Sequence, residues 1–477
     1  LDGLFFNTGI FTNLSQDHLD YHKNLKNYLN AKLYLFKKLI KLRGNVITDK
    51  NIPEFKKIKK IAKNKGLKIN TLNSDGNKFK ILSHEFNGDK QILKIKFKNS
   101  IKKVNLNLIG RIQLKNVIMA IIAALKSNLD LKKIIKVVPK LTSIEGRFEK
   151  IGKIKNKSKV ILDYAHSPGA LKTCLLNLKE QFPDKKIILL FGCGGNRDQN
   201  KRSKMGKIAE DYSDEIYLTD DNPRYENPDK IRRDIKKGIK RKKVIEISDR
   251  AKAILEAIKK LNTGEILLVA GKGHEKIQYI GKRKIYFSDK KIISKAIKTK
   301  NNDLSDDLKL NILKEASTNK NFYSSIILKQ ARINSREIKK NDIFFAIKGK
   351  KNDGNKFIKQ SFKKGASLAI VNKIQNNFNK NRQIKVKDTL KFLTNTSKIL
   401  RKTINTKIIA ITGSCGKTTL KEMIGITLKK ISRTTYSQKS FNNRYGVPLS
   451  LFNLKENDNF GVFEVGMDKK GEIDNLT

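Results

Sequence analysis

The sequence predicts an α/β protein of several domains whose sheets are largely parallel. Short β-branched runs alternate with amphipathic helical stretches along the chain, the pattern of α/β domains. Polar or glycine residues follow nearly every run, where ligands bind in open α/β sheets. The length of 477 residues allows about two to four domains with cores of their own.

The clearest strands lie between residues 159 and 275, and each of the first four is followed by a helix-like segment. The five candidates are "KVILDYAH", "KKIILLFGCGG", "DEIYLTDDNPR", "KKVIEIS" and "GEILLVAGKGHE". We therefore expect a ligand site beside the carboxyl ends of these strands.

A polar stretch, "KTKNNDLSDDLKLN" at 298–311, interrupts this pattern and is the best candidate for a linker. A compact α/β unit follows it, "SREIKKNDIFFAIKGKKNDGNKFIKQSFKKGASLAIVNK". The stretch "KIIAITGSCGKTT" then begins another unit.

The chain is very basic, with 104 Lys and Arg against 45 Asp and Glu and a net charge of +59. Such a charge is typical of nucleic-acid or membrane-surface binders and also attracts anionic substrates such as nucleotides. The lysines are spread over the whole chain, and no aromatic-rich RNA-binding signature interleaves them. This distribution favours a general surface drift toward Lys, Ile and Asn, as an A/T-biased genome produces.

The three cysteines, Cys174, Cys193 and Cys415, are far apart and form no CxxC pair. They indicate neither a disulfide framework nor a zinc site, which fits a cytoplasmic location. No apolar run reaches the ~18 residues of a membrane span, and the start "LDGLFFNTGIFTNLS" has neither Met nor a basic signal region. We expect the chain to be a fragment.

The turn "TGSCGKTT" predicts a cradle for nucleotide phosphates. Gly413 and Gly416 let the backbone bend so that its N–H groups face phosphate oxygens, and the next helix adds its positive end. Lys417 would reach the β/γ-phosphates and Thr418 would hold Mg²⁺. The spacing is shorter than GxxxxGK[ST], because position 411 is Ile. Glu464, at the end of the strand in "FGVFEVGMD", is either a Mg²⁺ carboxylate or a solvated acid.

A family resemblance appears in the first 298 residues. The motifs "TNLSQDHLDYH", "YLNAKLYLF", "EGRFE", "DYAHSPGAL", "FGCGGNRD", "DDNPR" and "AGKGHE" occur in order. Together they resemble the middle and C-terminal parts of the diaminopimelate-adding members of the Mur ligase superfamily. Residues 305–477 resemble the start of the D-alanyl-D-alanine-adding members, through "INSREIKKNDIFFAIKGKKNDGNKFI", "ITGSCGKTTLKEM", "SFNNRYGVPLSL" and "FEVGMDKKGEI".

The resemblance implies P-loop-type central domains, a Rossmann-like C-terminal domain, and a fusion of two incomplete ligases. The implied parts are the rest of a central ATPase domain (1–144), a C-terminal domain (145–298), a linker (299–311), a UDP-substrate domain (312–386) and the start of a second ATPase domain (387–477). The fragment alone is expected to have low activity. A circularly permuted single ligase is an alternative, disfavoured by the different subfamily character of the two halves.

The implied reaction is ATP-dependent amide formation in cytoplasmic peptidoglycan precursor synthesis. The carboxylate of UDP-MurNAc-L-Ala-D-Glu attacks the γ-phosphate of ATP, and the amine of meso-diaminopimelate then attacks the acyl phosphate. Two Mg²⁺ sites and CO₂, as a carbamate on Lys32, are implied, with His18 as a ligand of the second Mg²⁺. D-Ala-D-Ala is a possible further substrate, and a monomer is expected.

By resemblance, each half carries nucleotide-binding residues of its own ligase, and Ser335, Arg336 and Asn443 meet the UDP-sugar peptide. The nucleotide residues are Asn116, Arg147, Asp163, His166, Gly413, Ser414, Gly416, Lys417, Thr418 and Thr419. The family usually has Asn at Gln113, Asp at Asn196 and Asp at Asn334.

The amino-acid pocket is the most informative implied site. The far carboxylate of diaminopimelate suits a planar, bidentate cation, and Arg224 supplies one. Asp221 and Asn222 would meet the far ammonium with help from Glu275, and Arg197 and Gly271 would complete the pocket. Other interpretations are a turn at "DNPR", a folylpolyglutamate synthase-like ligase, or a basic nucleic-acid-binding protein.

Overall fold

The computed structural model describes residues 4–15, 19–72, 80–97, 100–317, 326–349, 352–437 and 442–466. The chain forms two compact units. The first unit contains Leu1–Gly152, Lys159–Lys260 and Ile266–Ala296, and the second contains Lys153–Ser158, Leu261–Glu265 and Ile297–Thr477.

The first unit begins with a parallel sheet of three strands in the order β1-β2-β3 and an antiparallel sheet in the order β4-β5-β6. The elements are β1 Phe6–Phe11, α1 Leu19–His22, α2 Leu25–Tyr34, β2 Ile40–Thr48, α3 Phe55–Asn64, β3 Lys68–Thr71, β4 Lys80–Asn87, β5 Lys90–Phe97, β6 Ser100–Leu106, α4 Arg111–Lys126 and α5 Leu131–Val137. The α4 helix packs its apolar face on the antiparallel sheet, with Ile122 fully buried in their shared core.

The rest of the first unit is built on a six-stranded sheet in the order β11-β10-β9-β12-β8-β7, parallel except for β7. Its elements are β7 Glu149–Ile151, β8 Lys159–Asp163, α6 Pro168–Gln181, β9 Ile187–Phe191, α7 Lys201–Tyr212, β10 Glu215–Leu218, α8 Pro228–Lys236, β11 Val244–Glu246, α9 Arg250–Lys260, β12 Ile266–Ala270, the hairpin β13 Ile277–Ile280 and β14 Arg283–Tyr286, and α10 Asp289–Asp303.

The central strands of this sheet are continuous apolar runs. Every residue of β9 and of β12 is buried, as expected for parallel strands covered on both faces. Helix starts are marked in the sequence: Pro168 opens α6 after Ser167, and Asn227 caps α8 by accepting from the N–H of Asp229 at 2.8 Å. The five predicted strands and the four helices between them are confirmed.

The second unit holds two parallel sheets, in the orders β15-β16-β17-β18 and β19-β21-β20. The elements are α11 Leu308–Ala316, β15 Ala331–Arg332, β16 Ile343–Phe345, α12 Ile358–Lys363, β17 Leu368–Val371, β18 Gln383–Lys385, α13 Thr389–Thr403, β19 Lys407–Ile411, α14 Lys417–Ile431, β20 Thr434–Tyr436, α15 Gly446–Phe452 and β21 Phe460–Glu464.

The predicted α/β fold with mostly parallel sheets is thus confirmed. The polar stretch at 298–311, predicted as a linker, is helical at both ends, because Asp307 caps α11 through the N–H groups of Lys309 and Leu310. The domain boundaries given above stay predictions. Within the residues that the structure describes, none of the helices has the length and apolar character needed to span a bilayer.

Candidate active site

Four parallel strands of the six-stranded sheet bring their carboxyl ends to one edge. The strand β8 ends at Asp163, Gly192 follows β9, Asp221 lies three residues after β10, and Gly271 follows β12. The chain runs outward from β9 through β10 to β11 and returns to β12 on the other side of β9. A crevice opens at such a reversal of strand order, and ligands bind there in α/β sheets.

Two glycines let the loops at this edge lie directly against each other. A Cβ on Gly195 would lie 2.0 Å from the carbonyl oxygen of Pro223. Gly271 has φ +116°, and a Cβ there would lie 2.6 Å from Oδ2 of Asp221. Larger residues would therefore push the loops apart, and their close approach fixes the position of Asp221.

Arg224 is anchored from two sides by these loops. Its backbone N–H donates to the carbonyl of Tyr279 at 3.0 Å, and its Nη1 donates to the carbonyl of Gly195 at 2.8 Å. Its φ of +52° is unusual for a residue other than glycine. The guanidinium is half-buried, and within the described ranges its other N–H groups have no protein acceptor. They suit a planar anion such as a carboxylate.

Asp221 places a carboxylate in the same crevice. The residue is only 8% exposed, and among the described residues no hydrogen bond reaches its carboxylate. Burial raises its pKa, while the nearby charges of Arg250 and Lys272 act in the opposite direction. A buried carboxylate without a donor is costly, so this group is prepared for a cationic ligand.

A hydrogen-bonded network covers the floor of the crevice. The amide of Asn222 donates to Oε2 of Glu275 at 3.0 Å. The ammonium of Lys272 donates to Oδ1 of Asn222 at 3.1 Å, to Oε2 of Glu275 at 3.2 Å and to the carbonyl of Ile277 at 2.7 Å. The hydroxyl of Tyr164 donates to Oε1 of Glu275 at 3.3 Å. The predicted residues Asn222 and Glu275 are therefore brought together.

Aromatic and cationic groups gather beside this network. The guanidinium of Arg147 lies 4.5 Å from the ring centre of Tyr164, and the rings of His166 and His274 lie 4.6 and 5.2 Å from it. Nδ1 of His166 is 2.9 Å from the carbonyl oxygen of Tyr164. Gln113 donates to the carbonyl of Arg147 at 3.1 Å. Arg147 and His166 thus share one face.

Asp163 ties two segments together. Its Oδ2 accepts from the N–H of Phe148 and its Oδ1 from the N–H of Ala165, both at 2.7 Å. Burial raises its pKa despite these bonds. Its predicted contact with a ribose would have to use the remaining lone pairs of the same oxygens, and that role stays a prediction.

Two predicted residues lie at exposed positions, one on α4 and one at the sheet edge. Asn116 is exposed on α4, and Arg197 is exposed in the loop after β9. Asn196, next to it, has φ +50° and donates its N–H to a carboxylate oxygen of Glu226.

Lys32 lies in the last turn of α2 and is exposed, with its Nζ 4.6 Å from the ring centre of Tyr28. His18 lies outside the described residues. Among those residues, no group of three or more His, Cys, Asp or Glu side chains is arranged to hold a metal ion. The carbamylation of Lys32 and the ligand role of His18 stay predictions.

The glycine turn in the second unit has the predicted strand–loop–helix form. It joins β19 to α14, with φ +149° at Gly413 and φ +78° at Gly416. The Nζ of Lys417 donates to the carbonyls of Gly413 at 2.5 Å and Ser414 at 3.2 Å. Thr419 is exposed in the first turn of α14. The ammonium thus lies over the loop.

A hydroxyl and a carboxylate meet beside this turn. Thr418 donates from Oγ1 to Oε2 of Glu464 at 2.8 Å, and Asn442 donates to Oε1 of Glu464 at 2.9 Å. Glu464 is 2% exposed. These hard oxygen donors fit a Mg²⁺ ion, so Thr418 and Glu464 are suitably placed for their predicted role.

The predicted UDP-substrate residues have separate local contacts. Ser335 is buried and donates to Oε1 of Gln360 at 2.7 Å, whereas Arg336 is exposed. Asn443 is exposed, and its Oδ1 accepts from the N–H groups of Tyr445 and Gly446.

Three family models match most of the chain. The "Mur ligase middle domain" matches residues 1–124 and 411–477, the "Mur ligase, glutamate ligase domain" matches 146–273, and the "Mur ligase family, catalytic domain" matches 328–399. The chain belongs to the Mur ligase family.

Curated relatives match about three fifths of this Mur ligase chain. A UDP-N-acetylmuramoyl-L-alanyl-D-glutamate–2,6-diaminopimelate ligase of Rickettsia bellii is 39% identical over 295 residues, which is 62% of this chain and 61% of the relative. The enzyme of the same name from Fusobacterium nucleatum is 40% identical over 298 residues, or 62% and 60%. The chain therefore spans about three fifths of the length of these relatives.

A solved structure with the same enzyme name is 32% identical, covers 61% of this chain and 60% of its own, and has a TM-score of 0.43.

Sequence reasoning missed Lys272, Tyr164 and His274, although it quoted the motifs that contain them. Lys272 stands between two glycines directly after a buried strand. A cation at that place, next to a predicted ligand site, was a signal that could have been used. Its complete burial depends on contacts with Asn222 and Glu275, which only the folded Mur ligase shows.

Proposed function

We propose that residues 1–298 belong to an ATP-dependent amide ligase that joins meso-diaminopimelate to UDP-MurNAc-L-Ala-D-Glu. The observation that carries this proposal is that Arg224 and Asp221 both lie in the loop after β10, at the carboxyl edge of the six-stranded sheet. A fixed guanidinium and a buried carboxylate without a donor match the carboxylate and ammonium of the second amino-acid head. The names of the curated relatives support the same substrate.

In the proposed reaction the D-Glu carboxylate of the acceptor attacks the γ-phosphorus of ATP and ADP leaves. The amino group of diaminopimelate attacks the resulting acyl phosphate, the tetrahedral intermediate expels phosphate, and the amine loses one proton. Arg224, Asp221 and Asn222 would hold the far head of diaminopimelate, which fixes the distance of the reacting amine. Catalysis then rests on positioning and on charge neutralisation.

The nucleotide would lie beside the aromatic face of this unit. Arg147 and His166 flank Tyr164, and Arg147 would neutralise phosphate charge there. Asp163 and Asn116 are proposed for the ribose and the adenine. Among the described residues, the Nζ of Lys32 lies over the ring of Tyr28. A carbamate on Lys32 would supply an oxygen ligand for Mg²⁺.

Residues 305–477 are proposed to belong to a second Mur ligase, one that takes D-Ala-D-Ala, with Ser335, Arg336 and Asn443 toward its UDP-sugar peptide. Lys417 and the backbone of the glycine turn would bind the phosphates of ATP. A Mg²⁺ ion held by Thr418 and Glu464 would neutralise phosphate charge. The order of the family domains supports a fusion, since a catalytic domain and a second middle-domain segment follow a glutamate ligase domain.

The first half of the proposal is tested by ligand binding to the full 477-residue chain. Saturation-transfer NMR with meso-diaminopimelate and L-lysine should show a preference for diaminopimelate. Arg224→Gln should weaken diaminopimelate binding by roughly tenfold or more, and Arg224→Lys should recover only part of it because it lacks the fork. Arg233→Gln, on the exposed side of α8, is the matched control and should change nothing.

Equal binding of the two amino acids by the wild-type chain, or equal loss in Arg224→Gln and Arg233→Gln, would overturn the diaminopimelate assignment. The second half is tested separately with a fluorescent ATP analogue. Lys417→Met should abolish the fluorescence change caused by binding of the analogue at the phosphate loop. Lys430→Met, on the same helix, should leave this change as it is in the wild type. Unchanged binding in Lys417→Met would reject the phosphate site.

A further inference from the structure

Lys272 is a fully buried cation in the floor of the amino-acid pocket. Its side chain has no exposed surface, and its three hydrogen bonds end on Asn222, Glu275 and the carbonyl of Ile277. An apolar residue of similar length would avoid the cost of burying an ammonium. Packing alone therefore does not explain why this position carries a positive charge.

Four charged side chains in the described part of the pocket balance only when Lys272 is counted: Arg224 and Lys272 are cations, and Asp221 and Glu275 are anions. Arg197, proposed to complete the pocket, is exposed in the loop after β9, where solvent and salt screen its charge. The other charged pair near Asp221 is formed by Arg250 and Asp289, which neutralise each other through two bonds of 2.8 and 2.7 Å.

We propose that Lys272 is a specificity-determining positioning residue whose charge makes the pocket select a net-neutral ammonium–carboxylate head over a lone ammonium. This inference rests on the proposed diaminopimelate function. Lys272 acts through its neighbours: it cancels the charge of Glu275 and turns the amide of Asn222, so that one anion, Asp221, remains for one ligand ammonium. Arg224 then provides the cation for the ligand carboxylate.

The physical reason is electrostatic. A pocket with no net charge gives no advantage to a ligand end that carries an extra positive charge. Without Lys272 the same walls carry a net charge of minus one, which attracts the side-chain ammonium of lysine and repels the far carboxylate of diaminopimelate. At pocket distances one unit charge is worth a factor of roughly ten or more in relative affinity.

The test compares the dissociation constants of meso-diaminopimelate and L-lysine for the 477-residue chain, by competitive saturation-transfer NMR. The readout is their ratio, lysine over diaminopimelate. Lys272→Met should lower this ratio about tenfold, and Glu275→Gln should raise it by a similar factor. The double variant should return to within about threefold of the wild-type ratio, because its charges balance again. Lys276→Met, an exposed neighbour with the same charge change, is the control.

A merely structural lysine would give a different result. Lys272→Met would then weaken both ligands alike, and Glu275→Gln would not compensate it, which would overturn the inference. Where Lys272→Met fails to fold by circular dichroism, Glu275→Gln alone decides, and an unchanged or lower ratio rejects the proposal. A wild-type chain without preference for diaminopimelate would instead reject the proposed function itself.

Discussion

Replacing Asp289 by Asn should destabilise the first unit by several kcal/mol. Asp289 and Arg250 are both fully buried and form a two-pronged ion pair, with Nε and Nη2 donating at 2.8 and 2.7 Å. Nη2 also donates to the carbonyl of Ala270 at 3.0 Å, at the end of β12. Nη1 is buried and has no hydrogen-bond partner within the part of the chain that the structure describes. The pair therefore supports the strand end that leads into the pocket.

The expected size follows from what each change leaves behind. Asp289→Asn leaves the guanidinium buried without its counter-charge, and breaking a buried pair in this way costs about 3–5 kcal/mol. Replacing both partners by apolar residues, as in Arg250→Met with Asp289→Leu, removes both charges and should cost clearly less than the single change. The matched control is Lys260→Met, because the Lys260–Glu256 pair on the same helix is exposed and should contribute under about 0.5 kcal/mol.

Hydrogen exchange followed by mass spectrometry is the suitable assay, since it reports on the peptides of the six-stranded sheet separately from the second unit. Protection of β12 should fall sharply in Asp289→Asn, recover largely in the double variant and stay unchanged in the control. The reasoning would be refuted if β12 in Asp289→Asn were as protected from exchange as in the wild type. It would also be refuted if the double variant lost as much protection as Arg250→Met and Asp289→Leu lose together when made singly.

Three further predictions use other parts of the chain. Iodoacetamide at pH 8 should label Cys415, which is exposed, and spare Cys193 and Cys174, since burial raises the pKa of Cys193 to about 12 and that of Cys174 well above its usual value; equal labelling by mass spectrometry would contradict this. Gly146→Ala should cost about 2–4 kcal/mol in urea unfolding, because φ is +64° and the new methyl would lie 2.2 Å from a backbone nitrogen of the "KGHE" turn. Hydrogen bonds from two cations lower the pKa of the Glu246 carboxyl in the folded protein, so the carboxylate stabilises the fold above its unfolded pKa, and this stabilisation is lost as the pH falls through its folded pKa. Glu246→Gln should therefore make the free energy of unfolding fall less steeply toward acid pH, and an unchanged slope would contradict this.

The sequence predicted five of the six strands of the large sheet, because these five are mostly apolar runs followed by glycine or polar residues, whereas β7, Glu149–Ile151, is short and partly charged and was missed. The motif letters also placed Arg224, Asp221 and Glu275 around one sheet edge. The bond from Lys272 to Asn222 was not predictable, because it joins segments fifty residues apart. The same holds for Arg250, whose acceptors lie twenty and thirty-nine residues away.

The antiparallel sheet β4-β5-β6 shows a different limit. Its strand β5, "KQILKIKF", alternates lysines with apolar residues over most of its length, so the sequence shows a period of two. The sequence does not show on which surface the apolar face of this sheet packs. That surface is α4, whose own pattern is mostly apolar and does not identify its partner.

The two halves of the chain can be assigned to one reaction or to two by asking whether their sites depend on each other. The residues of the amino-acid pocket, Arg224 and Glu275 among them, make their hydrogen bonds within the first unit. The residues of the phosphate turn, Lys417 and Thr418 among them, make theirs within the second. In a permuted single ligase the two sites would serve one turnover, so ATP bound at the turn would change the affinity for diaminopimelate, and reciprocally by the same factor. In a fusion of two ligases the affinities would be independent.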